Sequence, residues 1–169
     1  MFAYRQGMLD SLCGIYCSIN AVRLSISGIA CFSARSCFEE ILSDLSKQRK
    51  LLFVHKFGSS SKAITRYLDV LQAKLAQDVK ISYSKPFINV TRKSTIIKKL
   101  SILSQKPNTA IIIGISGKYY HWSLIDKVTE NRIYLNDSLY LKYLNINKIP
   151  NLYQLNTNEI FVIKAKVCK

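Results

Sequence analysis

Apolar residues in the first half of the chain recur every third or fourth position. Leu12, Ile15, Tyr16, Ile19 and Val22 share one face of a predicted helix over residues 12–26. Asp10 or Ser11 is placed to cap its start, and Gly28 marks its end. Ser33 caps a second predicted helix, carried by Cys37, Phe38, Ile41, Leu42 and Leu45. Gly58-Ser59-Ser60-Ser61 reads as a loop, and a third helix follows with Ile64, Tyr67, Leu68, Leu71 and Leu75 on one face.

After Gln77 the period changes. Residues 79–83 alternate and predict a strand, which Pro86 breaks. Ser94 opens a short helix through Gln105, with Ile97, Leu100 and Leu103 inward and Lys98 and Lys99 outward. Residues 109–115 form a β-branched run, the pattern of a buried strand. Ser116-Gly117-Lys118 makes a tight hairpin turn into a strand over residues 119–126. Thr129-Glu130-Asn131 turns the chain back into residues 132–136. Residues 140–157 are polar and loop-like, and residues 159–165 close the pattern as a strand. Three helices followed by an antiparallel sheet with one inserted helix make the expected class α+β.

A length of 169 residues fits one domain. A helical lobe over about 1–78 would pack on a sheet lobe over about 79–169. Apolar residues at 49% and charged residues at 21% are globular proportions. No apolar run reaches the roughly 18 residues that a membrane span needs. Residues 1–10 lack the basic start and apolar stretch of a secretory signal, so a reducing cytoplasm is the expected home.

The formal net charge is +15, and it is unevenly placed. Residues 1–46 hold three basic and four acidic residues, which leaves +16 on residues 47–169. That surface suits polyanions or an acidic protein partner. No zinc-finger spacing or arginine-rich tract supports specific nucleic-acid readout, so nucleic acid is the less favoured partner. The simplest account of many of these lysines is a solvated face. The five cysteines, at 13, 17, 31, 37 and 168, are odd in number and irregular in spacing. They make a poor disulfide framework and a poor zinc site.

The chemistry concentrates around Cys13. It falls in the first turn of the predicted helix, where free N–H groups and the positive end of the helix dipole favour thiolate over thiol. Gly14 would allow a substrate backbone to approach. Cys17, one turn deeper, is the rival nucleophile. A thiolate needs a proton partner, and the chain has only His55 and His121. His121 lies near the start of the strand over residues 119–126, and Asp137 lies at the end of the returning strand of the same hairpin. That arrangement can set a carboxylate against the imidazole and hold its tautomer. Asn136 is the alternative third member. Adjacent strand residues face opposite ways, so only one of the two can serve.

Gln6 followed by Leu12-Cys13-Gly14, then His121-Trp122-Ser123-Leu124-Ile125, then Leu135-Asn136-Asp137-Ser138, resembles the papain-like cysteine peptidase superfamily. The closest resemblance is to small bacterial members, such as leader-processing peptidase domains of peptide exporters and related effector proteases. The resemblance implies a helical lobe on an antiparallel sheet, Cys13 as nucleophile, His121 as base, Asp137 as its orienting partner and Gln6 at the oxyanion. Gln6 precedes Cys13 by seven positions, where the family usually has six. The implied activity is hydrolysis of a peptide or isopeptide bond in a protein or peptide substrate, with no metal or organic cofactor. The same triad also supports deamidation and transglutamination. So few residues precede Cys13 that restraint by a propeptide is not expected. The alternative of another class is a non-catalytic basic module that binds nucleic acid or an acidic protein.

Overall fold

The computed structural model describes residues 3–6, 11–26, 32–117, 120–149 and 153–168. Four helices come first: α1 (Cys13–Ser25), α2 (Ala34–Lys47), α3 (Leu51–Phe57) and α4 (Ser61–Leu75). Strand β1 (Val79–Ser84) and helix α5 (Lys93–Ser104) follow. Then come β2 (Thr109–Gly117), β3 (His121–Val128), β4 (Arg132–Asn136), β5 (Tyr143–Asn145) and β6 (Tyr153–Val167), with a 3-10 turn at Ile146–Lys148. The class is α+β, and every strand pairing is antiparallel.

The six strands lie in the order β1-β6-β2-β3-β4-β5. Each strand divides its side chains between two faces, as a period of two requires. Ala110, Ile112, Trp122, Leu124, Phe161 and Ile163 join the side chains of α1, α2 and α4 in one core. Ile111, Ile113, Ile125, Ile160 and Val162 turn the other way and pack with Phe87, Ile96 and Leu100. The Ile run of β2 is thus buried on both faces, and the sheet is covered on both sides near its centre.

The amphipathic faces of α2 and α4 form as their spacing predicts. Cys37, Ile41 and Leu45 are buried on α2, and Ile64, Tyr67, Leu68, Leu71 and Leu75 on α4. Ser33 Oγ accepts from the Ser36 N–H and Ser60 Oγ from the Ala63 N–H, so both helices carry side-chain N-caps.

Four expectations need correction. The helical part has four helices before the sheet, not three, because residues 51–57 fold as α3 around one buried side chain, Val54. The N-cap of α1 is Leu12, not Ser11, while Asp10 and Gly28 lie outside the described residues. On α5 the buried apolar residues are Ile96 and Leu100, and Ile97 and Leu103 pack at the margin. Residues 140–157 are not all loop, since they contain β5, the 3-10 turn and the start of β6. Lys118, in the expected hairpin turn, lies outside the described residues.

Candidate functional site

Cys13 is the first residue of α1, and its neighbours fix it there. Leu12 supplies the N-cap position but has no polar side chain to cap with. The opening N–H groups of a helix have no acceptor one turn earlier, which leaves the positive end of the helix dipole at Cys13. The Leu12 carbonyl accepts from the Ile15 and Tyr16 N–H groups, which closes the first turn. Cys13 is 8% exposed and sits at the edge of the core.

His121, the first residue of β3, stands with Cys13 in the lining of one cleft, and the thiol is among the groups that favour the charged ring. On the other side of the ring, His121 Nε2 donates to Asp137 Oδ2 at 2.6 Å. That leaves Nδ1 for the sulfur. The two side chains of this pair are only 8% and 1% exposed. Asp137 follows β4, and its second oxygen, Oδ1, accepts from the N–H groups of Leu139 at 2.7 Å and Leu141 at 3.2 Å. The carboxylate is therefore fixed by the backbone of its own turn. Asn136 stays in the ladder, opposite Leu124. Of the two adjacent candidates, Asp137 is the one that meets the ring.

Electrostatics follow from that geometry. Burial disfavours the charged imidazole, but Asp137 and Cys13 outweigh it and push the His121 pKa up to about 9. Burial likewise disfavours the Asp137 carboxylate, yet its hydrogen bond to His121 and the charge there hold its pKa below the usual value. Cys17 sits one turn deeper and is buried. Desolvation first, then the nearby Cys13 and Asp137, raise its pKa well above that of a free thiol. Burial also pushes Cys37 up to about 11. Cys168 is exposed, and Cys31 lies outside the described residues. Among the described residues no cluster of His, Cys, Asp or Glu could hold a metal ion. His55 is exposed on α3.

Gln6 lies beside the same turn. Its N–H donates to the Ser138 carbonyl at 3.3 Å. The short segment that carries it is held on α1 by Asn20, whose amide pairs with the Tyr4 N–H at 2.8 Å and the Tyr4 carbonyl at 3.0 Å. Arg5 reaches across to the Tyr140 hydroxyl and stacks 4.2 Å from its ring. This segment ties α1 to the Asp137 turn, so the elements that carry the thiol and the carboxylate cannot separate freely.

Cys13 and His121 open into a cleft of about 340 Å³. One wall is Phe57, Gly58 and Ser59, where α3 gives way to α4. The other is Gly114, Ile115 and Ser116 of β2 with Asn156 and Glu159 of β6. The β6 wall exists because the ladder is interrupted there. Ile113 pairs with Ile160 and Ile115 with Leu155, so four residues of β6 stand against Gly114 alone. A Cβ on Gly114 would lie 2.5 Å from Glu159 Oε2 and 2.8 Å from its Cβ, so only glycine lets this wall close. The excursion is held by Ser61 Oγ, which donates to the Asn158 carbonyl at 3.1 Å and accepts from Lys85 Nζ at 2.8 Å. Glu159 is half-buried, and desolvation raises its pKa against the opposing pull of Lys85.

Sequence reasoning missed these wall residues. The one available signal was Gly114 inside an Ile-rich strand, where an isolated glycine marks a bulge or a close approach. The role expected of Gly14 changes as well. It is buried, and a Cβ there would meet Ser59 Cβ and Oγ at 2.6 Å and Ile64 Cδ1 at 2.9 Å. Gly14 admits the α3–α4 loop, not a substrate backbone. Trp122 donates from Nε1 to the Ser59 carbonyl at 2.6 Å, and Ser59 Oγ lies 3.0 Å from the Tyr67 hydroxyl, so Ser59 is held by two hydrogen bonds. In a solvated helix Gly→Ala would stabilise by about 1 kcal/mol. Here the clash is against held atoms, and Gly14→Ala is expected to destabilise by about 1–3 kcal/mol. Thermal unfolding of the variant checks the sign, and unchanged or raised stability would show that Ser59 yields.

A buried imidazole held by a fixed carboxylate, sharing a cleft with a thiol at a helix N-terminus, is equipped to move a proton from sulfur and to hold a developing negative charge. Among the described residues no helix is long and apolar enough to cross a membrane. The chain matches no protein-family model and no curated protein.

Proposed function

We propose that this protein is a papain-like cysteine hydrolase that cleaves a peptide or isopeptide bond through Cys13, His121 and Asp137. The observation that carries the reading is that Cys13 and His121 line one open cleft while Asp137 holds the far side of the His121 ring. Helices before an antiparallel sheet, with the thiol on the first helix and the imidazole and carboxylate on consecutive strands, support the papain-like assignment. His121 accepts or shares the Cys13 proton, so that the ring stands as imidazolium beside the thiolate, and the thiolate attacks the substrate carbonyl. The N–H groups at the start of α1, with the Gln6 amide, stabilise the oxyanion. His121 returns the proton to the leaving amine, and water releases the acyl group. The chemistry needs no metal or organic cofactor. An amine in place of water would give transglutamination, and a side-chain amide as substrate would give deamidation.

Thiol labelling tests the reading. At about pH 6, iodoacetamide is expected to modify Cys13 well ahead of Cys17, Cys37 and Cys168, because among the described cysteines only Cys13 opens to the cleft beside the His121 imidazolium. Peptide mapping of the alkylated protein reads the order. Labelling of Cys13 no faster than the rest would remove the reading.

The pH profile gives a second test. The leaving amine must be protonated by the imidazolium, and His121 keeps its proton up to about pH 9. The expected result is that kcat/KM falls as pH rises through about 9. Without the Asp137 carboxylate, burial would act on the ring with less opposition, and the alkaline limb should move to lower pH. A limb that stays in place in an Asp137→Asn variant would assign it to another group.

A further inference from the structure

A second cavity, of about 530 Å³, lies beside the cleft and is bounded by the end of α2, helix α3 and the start of α4. Its floor is apolar, with Leu45, Val54, Ala63 and Tyr67. Arg49, Lys50, Lys62 and Arg66 line it, and no acidic side chain does. Arg66 is engaged by Asp44, through Nε at 3.0 Å and Nη2 at 2.5 Å, so the charge offered to a visitor comes from Arg49, Lys50 and Lys62. Gly58 borders both this cavity and the Cys13 cleft, so the two adjoin at that residue. Helix α3 runs along the seam, and its apolar side chains face water: Leu52 is 83% exposed, Phe53 61% and Phe57 65%. The rings of Phe53 and Phe57 stand 5.0 Å apart, with Phe53 on the groove and Phe57 on the cleft.

We infer that this groove docks a segment of the substrate protein in which apolar side chains alternate with acidic ones. The apolar floor and the exposed aromatics would take the apolar side chains, and the rim would pair with the carboxylates. Aromatic and Arg anchors around an apolar centre are the usual composition of a binding hot spot. The shared border at Gly58 would lead the rest of the segment to Cys13. As a substrate site the groove rests on the thiol-hydrolase reading; as a docking site it rests on its own lining. It also gives part of the basic surface after residue 47 a defined place to act.

The probe is a short fluorescein-labelled peptide in which Leu and Phe alternate with Glu, compared with one carrying Lys in place of Glu. Anisotropy is measured on the full chain with Cys13→Ala, which prevents turnover. The Glu peptide is expected to bind and to weaken with added salt, since exposed charges are screened over about 8 Å at physiological ionic strength. The Lys peptide is expected not to bind. Reversing two rim charges in Lys50→Glu with Lys62→Glu should weaken the Glu peptide about tenfold. Phe53→Ser should weaken it while leaving its salt dependence in place. Unfolding temperatures of these variants report whether the fold is kept, and all substituted side chains are exposed ones on the surface. Equal affinity for the two peptides, or for the charge-reversed and parent proteins, would overturn the inference. So would self-association that Phe53→Ser abolishes, which would give the patch to a second copy of the chain. Iodoacetamide labelling of Cys13 in the charge-reversed protein separates the two readings. Peptide binding with an unreactive Cys13 keeps the groove and removes the hydrolase, and a reactive Cys13 without peptide binding does the reverse.

Discussion

Cys13→Ala is expected to lower hydrolysis by on the order of 10⁴-fold or more, with unfolding little changed. The loss is large because the proposed mechanism has no other nucleophile: every step starts from the Cys13 sulfur. The change in stability is small because only a sulfur at the edge of the core is removed. Cys17→Ala is expected to behave in the opposite way. Cys17 is 3% exposed, its thiol is held protonated by burial, and its sulfur fills space in the core of α1. Removing it should cost about 1 kcal/mol or somewhat more and leave turnover intact. The pair of variants, read by turnover and by thermal unfolding, tests the nucleophile assignment. A protein that loses activity with Cys17→Ala and keeps it with Cys13→Ala would reverse that assignment.

Asp137→Asn should lower kcat by on the order of 10³- to 10⁴-fold, although a side-chain amide can orient a histidine in principle. The reason is local. Oδ1 of Asp137 already accepts from two backbone N–H groups, those of Leu139 and Leu141. An amide has one oxygen, and only that oxygen can accept these bonds. Its NH2 would then face His121 and donate to Nε2. The ring proton would move to Nδ1, on the side of Cys13, and the ring could no longer take the thiol proton. Steady-state kinetics on a peptide substrate, together with the alkaline limb, would report both the loss and its cause. Activity near the parent level would mean that packing alone holds the ring in the right tautomer.

The elements visible in the sequence are those whose burial follows a period. Helices α2 and α4 expose one face and bury the other, and the cap of α2 is the serine expected there, Ser33. Strand β4 is found within its expected bounds because a turn signal stands on one side and the Asn136-Asp137 break on the other. Helix α3 was not visible, since Leu51, Leu52, Phe53, Val54 and Phe57 follow no single face and only Val54 is buried. Its apolar character serves a surface, which periodicity does not detect. The pairing of β6 between β1 and β2 could not be read from local pattern either, because partner choice depends on contacts far apart in sequence.

The candidate site divides along the same line. Cys13, His121 and Asp137 carry their chemistry in their side chains, so residue type and order are informative. The preference for Asp137 over Asn136 rested on spacing, and the position of its carboxylate now rests on the turn that binds Oδ1. The cleft walls were hidden because Ser59, Gly114 and Glu159 matter through position. Gly14 was assigned the wrong neighbour for a related reason: a glycine signals that something comes close without saying what.

The place of β6 also bears on how the protein is made. Ribosomes deliver residues in order, at about 5–20 per second, and α1 with its cysteine emerges long before residues 153–167. Until those residues arrive, β1 and β2 have no strand between them, and both edges stand open to other chains. The Asn156 and Glu159 wall is also missing from the cleft during this interval. A chain still being made therefore carries Cys13 well before the segment that walls its cleft, and the sheet is complete only once β6 stands between β1 and β2.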